Sequence, residues 1–169
     1  IEKTIRKKSS EYKIKYEYIS EIEKYIAEEL LQNGKIGGWF QGKMEFGLRA
    51  LGNRSILADP RDKSVPNRIN STIKKRPAFQ PFCQSILDKA EKKYVVNPKK
   101  IDASYMIIAF DSTQKGKIET PVVVHVDNSI RPQVVNKSMN SKYYSLLKSF
   151  GKETGIPVVL NTSFNRSGE

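Results

Sequence analysis

Apolar positions recur at two different periods along this chain, and each change of period marks an element. Ile19, Ile22, Ile26 and Leu30 fall on one helical face. The Ser20-Glu-Ile-Glu23 spacing opens that helix as a capping box, and Asn33-Gly34 closes it. Residues 35–41 then read as a strand. A second helix is predicted over 64–75, with Val65, Ile69 and Ile73 on one side. Pro77 and Pro81 break it into an extended segment carrying Phe79 and Phe82. Three runs, 104–110, 121–126 and 156–160, are apolar and bounded by turn residues, so they read as buried strands. A third helix over 141–154 shows Tyr144, Leu147 and Phe150 at helical spacing, and Gly155 stops it. Residues 1–18 are charged and weakly periodic and read as an approach segment. The sum predicts an α/β (α+β) class, with a mostly buried sheet and functional loops at strand ends.

Charge changes that picture by pointing to partners. Thirty Lys and Arg face eighteen Asp and Glu among 169 residues, a formal net charge of +12. Such a field favours nucleotides, nucleic acid, phosphorylated substrates or an acidic neighbour. Pairs such as Lys7-Lys8, Lys92-Lys93 and Lys99-Lys100 are scattered and read as solvated surface. The single cysteine, Cys83, excludes an internal disulfide. It stands among apolar residues, far in sequence from the only histidine, His125, and reads as a buried, inert thiol. No signal peptide or bilayer-length apolar run is present, so a cytoplasmic protein is expected. Length predicts one domain over residues 1–169. The start at Ile1 and the stop at Glu169 lead us to expect a fragment of a longer protein.

Four polar clusters carry candidate chemistry. The first, residues 42–55, packs Gly42, Gly47 and Gly52 with Arg49, Asn53 and Arg54 directly after a predicted strand. Glycine admits close backbone approach and arginine supplies forked donors, so this reads as an anion-binding loop. The second is Lys74-Lys75-Arg76, where an extended segment would set Lys74 and Arg76 on one side. The third is His125-Val-Asp127-Asn128-Ser-Ile-Arg131; a lone histidine reads first as a satisfied structural residue, and Arg131 is the better ligand candidate. The fourth is Asn161-Thr-Ser163-Phe-Asn165, amide and hydroxyl groups at a strand end that suit phosphate, ribose or adenine edges. No zinc pattern, Walker A loop, dinucleotide fingerprint or carboxylate set for a metal is evident.

These blocks, in this order, resemble the C-terminal domain of the NodU/CmcH/TobZ O-carbamoyltransferases. The resemblance runs through Trp39–Arg61, Lys74-x-Arg76, Phe79-x-Pro-Phe82, His125-Val-Asp127 with Arg131, and Thr154–Asn165, and covers most of the chain from about residue 12 onward. It implies a YrdC-like fold, a twisted mixed sheet with flanking helices. It also implies formation of carbamoyl-adenylate from carbamoyl phosphate and ATP, with Mg²⁺ accompanying the nucleotide. Transfer to a hydroxyl acceptor would follow in a separate N-terminal domain of the ASKHA type, where a metal such as iron would sit. On the matching positions Lys74, Arg76 and Arg131 would be catalytic, neutralising phosphate charge. Arg49, Asn53, Arg54, Asn161, Ser163 and Asn165 would bind substrate and nucleotide. The chain departs from the family pattern at Leu48, where proline is usual, at Pro77 and Gln80, where glutamate and arginine are common, and at Asn128-Ser129. A basic RNA-binding YrdC-like module and a non-catalytic interaction domain are the alternative readings.

Overall fold

The computed structural model describes residues 2–31 and 33–168, apart from the side chains of Glu2 and Leu30. The side chain at the last position of the first predicted helical face, Leu30, and the chain ends Ile1 and Glu169 therefore lie outside what is described. In chain order the elements are α1 (Glu2–Tyr12), α2 (Ile22–Tyr25) continued by a π-helical turn (Ile26–Leu31), β1 (Gly37–Phe40), β2 (Arg54–Ala58), and α3 (Val65–Arg68) continued by a second π-helical turn (Ile69–Lys74). There follow β3 (Cys83–Leu87), α4 (Glu91–Tyr94), β4 (Val95–Val96), β5 (Phe110–Ser112), α5 (Gln114–Glu119), β6 (Ser129–Ile130), β7 (Pro132–Val135), α6 (Ser141–Thr154) and β8 (Val158–Ser163). The predicted mixed α/β architecture is present. A five-stranded sheet runs β1-β2-β8-β3-β7, antiparallel except for the parallel pair β3–β7, and a three-stranded antiparallel sheet runs β4-β5-β6.

Strand alternation sorts the larger sheet into two faces. Leu57, Val159, Leu87 and Val135 meet Tyr143, Leu146, Leu147 and Phe150 of α6, together with Ile26, Ala27, Leu31 and Trp39. Ile56, Ala58 and Leu160 pack on the other side with Val65, Ile69, Phe82 and Val123. Helix α6 is well defined at both ends: the Asn140 side chain accepts the Tyr143 N–H at 3.0 Å, and Gly155 closes it at φ 75°. Tyr143 is buried with Leu146, Leu147 and Phe150, and Tyr144 is only partly buried against that cluster.

Several expectations change. The predicted approach segment contains α1, whose side chains are largely exposed and which is braced by a Lys8–Glu11 pair. No capping box forms at Ser20, because α2 starts at Ile22 with Glu21 in the cap position and no side-chain cap bond. Residues 104–109 are irregular, and the strand begins only at Phe110. The Asp102 carboxylate accepts the Ser104 N–H at 2.9 Å and starts a turn there, and Met106 adopts φ 54°. Residues 121–126 are likewise not a strand. Pro121–Val123 form a 3₁₀ turn, in keeping with a proline that has no N–H for a ladder, and Val126 is exposed. The sequence reading missed β2, β3 and β7, each of which carries polar residues beside its apolar ones, and the two-residue strands β4 and β6.

Candidate functional site

The glycine-arginine loop joins β1 to β2, and most of its polar groups hold the loop itself. One carboxylate oxygen of Glu45 accepts the backbone N–H groups of Leu51, Asn53 and Arg54 at 2.7, 2.8 and 3.2 Å. The Arg54 guanidinium donates to the carbonyls of Gln41 and Gly42 at 3.0 and 3.1 Å and stacks 3.5 Å from the Phe40 ring centroid. Asn53 donates to the Lys43 carbonyl at 2.8 Å and accepts from Asn140 at 2.7 Å. Gly52 is required twice over: its φ is +97°, and a Cβ there would lie 2.2 Å from the buried Tyr143 ring. Arg49 is left exposed, with no hydrogen bond or ion pair among the described residues.

Beneath the loop the sheet face turns polar. Asn161 donates to the Ala50 carbonyl and to Ser85 Oγ, both at 3.0 Å. Ser85 donates to Gln133 Oε1 at 2.8 Å, and Gln133 Nε2 donates to the Leu51 carbonyl at 2.8 Å. These residues sit on β8, β3 and β7, so the strand register itself pins residues 50–51 to the sheet. Asn161 is 1% exposed, and its Oδ1 has no hydrogen-bond partner. Ser85 and Gln133 were not singled out from the sequence; a Ser or Gln inside a short β-branched run is the signal that could have found them.

Lys74 and Arg76 diverge. Lys75 takes the left-handed conformation at φ 52°, so the segment is not extended as expected. The buried Lys74 amine donates to Ser163 Oγ at 2.9 Å, to the Ser163 carbonyl, and to the Asn165 carbonyl and Oδ1 at 2.8 and 3.1 Å. Burial, then the charge of Arg76, pulls this amine from its ordinary 10.5 down to about 8. Arg76 donates to Asn70 Oδ1 at 2.6 Å and lies 4.7 Å from the Phe82 ring centroid, with one terminal nitrogen buried and unpartnered. Burial lowers its pKa, and the neighbouring Cys83 opposes that shift. Asn70, wholly buried, also donates to the carbonyls of Ala78 and Gln80, so it orients both Arg76 and the turn that follows. Arg131 donates through two nitrogens to the Cys83 sulfur at 3.1 and 3.0 Å. His125 is a bracing residue: its ring nitrogens lie 3.0 Å from Ser129 Oγ and 3.3 Å from the Phe82 carbonyl.

A cavity of about 100 Å³ lies where these parts meet. Arg49, Arg76 and Arg131 line it with Cys83, Met106, Asn161 and Ser163. Of the sequence-predicted residues the cavity gathers Arg49, Arg76, Arg131, Asn161 and Ser163. Lys74, Asn53, Arg54 and Asn165 stand behind or beside it, in the contacts given above. Three guanidinium groups converging on a small space, with one bare amide oxygen, can hold a compact anion that also carries an N–H or O–H donor. Among the described residues no three His, Cys, Asp or Glu side chains are grouped to hold a metal, and no helix is long and apolar enough to cross a membrane.

The Carbamoyltransferase C-terminus family model matches residues 28–169. The chain belongs to this family. An uncharacterised protein of Methanocaldococcus jannaschii is 46% identical over 168 residues, which are 99% of this chain and 27% of that protein. Nodulation protein NolNO of Sinorhizobium fredii is 39% identical over 144 residues, 85% of this chain and 21% of that protein. The 3'-hydroxymethylcephem-O-carbamoyltransferase of Amycolatopsis lactamdurans is 34% identical over 139 residues, 82% of this chain and 26% of that protein. The chain thus spans about a quarter of the length of the curated relatives it matches. The family match takes in all four polar clusters, and so the whole lining of the cavity.

Proposed function

We propose that this carbamoyltransferase C-terminal domain activates a carbamoyl group, forming carbamoyl-adenylate from carbamoyl phosphate and ATP for later transfer to a hydroxyl acceptor. The observation that carries this reading is the convergence of Arg49, Arg76 and Arg131 on one small cavity beside the unpartnered Asn161 Oδ1. Carbamoyl phosphate is a compact anion with an NH₂ group, so the guanidinium forks would take its phosphate oxygens and Asn161 Oδ1 an amide proton. Water would cleave carbamoyl phosphate there, giving carbamate and inorganic phosphate; a carbamate oxygen would then attack the α-phosphorus of ATP, the bond from that phosphorus to the bridging oxygen would break, and pyrophosphate would leave. Arg76 and Arg131 would stabilise the charge that builds on equatorial and leaving oxygens. Lys74 supports the site by holding Ser163 and Asn165, and its charge adds to the field at the end of β8. Mg²⁺ would arrive on phosphate and water oxygens, since the described residues offer no carboxylate set of their own. Transfer to the acceptor belongs to the remainder of the longer protein.

The test is incubation with ATP, Mg²⁺ and carbamoyl phosphate while pyrophosphate and AMP are followed, beside calorimetry with each ligand. Pyrophosphate release that depends on carbamoyl phosphate and is lost in Arg76→Ala is expected. Absence of both turnover and ligand binding would overturn the reading.

A further inference from the structure

The Cys83 thiol has no part in the chemistry proposed above, yet it faces the same cavity as the three arginines. It is only 7% exposed, so the cavity is its route to small solutes. Two Arg131 N–H groups point at its sulfur, at 3.1 and 3.0 Å. Cysteines that react rather than merely pack sit in electropositive surroundings of this kind. The second observation is Asn161, paired with Cys83 across β3 and β8, nearly fully buried and carrying an acceptor oxygen with no partner.

We propose that Cys83 is a modification site for hydrogen peroxide, and that its sulfenic form occupies the anion cavity. The sulfur attacks one peroxide oxygen; an S–O bond forms and the O–O bond breaks. Hydroxide leaves and takes up the thiol proton as water. Sulfur is oxidised by two electrons and peroxide is reduced by two, giving Cys–SOH and one water. The product suits its surroundings. Its oxygen can accept from Arg131, and its O–H can donate to Asn161 Oδ1, a buried acceptor left bare on a residue that lines the cavity. An oxygen placed there stands where a substrate anion would, so oxidation closes the cavity and a thiol reductant reopens it. An anion held by the arginines in turn shields the sulfur.

The experiment uses the intact chain, whose single cysteine gives one reporter. The protein is treated with hydrogen peroxide and dimedone, and adducts are followed by intact mass with circular dichroism alongside. The folded protein should take up one dimedone on Cys83. Inorganic phosphate filling the cavity should slow that uptake about fivefold or more, and Arg131→Gln should slow it by about tenfold. An adduct that forms only in denaturant, or a rate untouched by phosphate, would overturn the proposal. So would a folded Arg131→Gln that oxidises as fast as the parent. If Arg131→Gln does not fold, the phosphate arm on the parent chain decides.

Discussion

The two ends of a single sheet face differ more than the two faces do. Under α6, Val159, Leu87 and Val135 meet Leu147 and Phe150 in a dry apolar core. Two positions along the same strands, on the same side, the face presents Asn161, Ser85 and Gln133, with Cys83 beyond them. The first end is held by area removed from water and tolerates no gap. The second is held by directed hydrogen bonds to the Ala50 and Leu51 carbonyls, and it leaves one acceptor unused. One scaffold thus supplies an apolar core at one end and a polar lining for the candidate cavity at the other, and the glycine-arginine loop is fastened to the polar end.

The contrast can be broken from either side. Phe150→Ala should have the largest effect, about 3–5 kcal/mol of stability lost in urea unfolding, with anion binding by the folded fraction retained. Arg76→Ala and Arg131→Ala should do the reverse. Each should cost about 1.5–3 kcal/mol of nucleotide or carbamoyl phosphate binding by calorimetry, with a small change in melting temperature. Unchanged affinity in both variants would remove the cavity from consideration. Gln133→Leu should act on both sides at once, losing about 1 kcal/mol of stability and some anion affinity, because it frees Leu51 and so the loop bearing Arg49.

The smallest effect is a pH dependence. The unfolded chain holds the Lys74 proton up to about 10.5, and the folded chain only to about 8. Between those values the unfolded state binds more protons, so Lys74 makes stability rise with pH from about 8 up to 10.5. Lys74→Met should flatten that rise in unfolding measured across the alkaline limb. A parallel slope in the two proteins would count against the burial of this amine as its cause.

How much of this was legible in the sequence depended on whether one residue type dominated its surroundings. Helix α6 was readable because Leu147, Phe150 and Gly155 each act locally, by period and by stop. So were Arg49, Arg76 and Arg131, whose density and order stand out in a linear reading. Strand β3 was hidden because Cys83, Gln84 and Ser85 are buried only by virtue of their neighbours on β7 and β8. The run at 104–110 misled for the converse reason. Its composition is that of a strand, but Asp102 turns the chain and Met106 bends into the cavity, leaving Ile107 exposed. The division of labour within the loop was also invisible. Arg54 and Arg49 lie five apart in one motif, and only the fold shows that the first is tied to carbonyls while the second is free for a ligand.

Glu45 gives that loop one further property. Its carboxylate already takes the amides of Leu51, Asn53 and Arg54, the backbone groups that in a phosphate-cradling turn would face the ligand. The protein has, in effect, installed an anion of its own in the nest. Under the proposed function an incoming phosphate would therefore be left to side-chain charge, above all to the exposed Arg49 and to Arg76 and Arg131 in the cavity lining. Recognition of that kind weakens as mobile ions accumulate around it, so the affinity of this domain should decline with ionic strength more steeply than that of a site built from backbone amides.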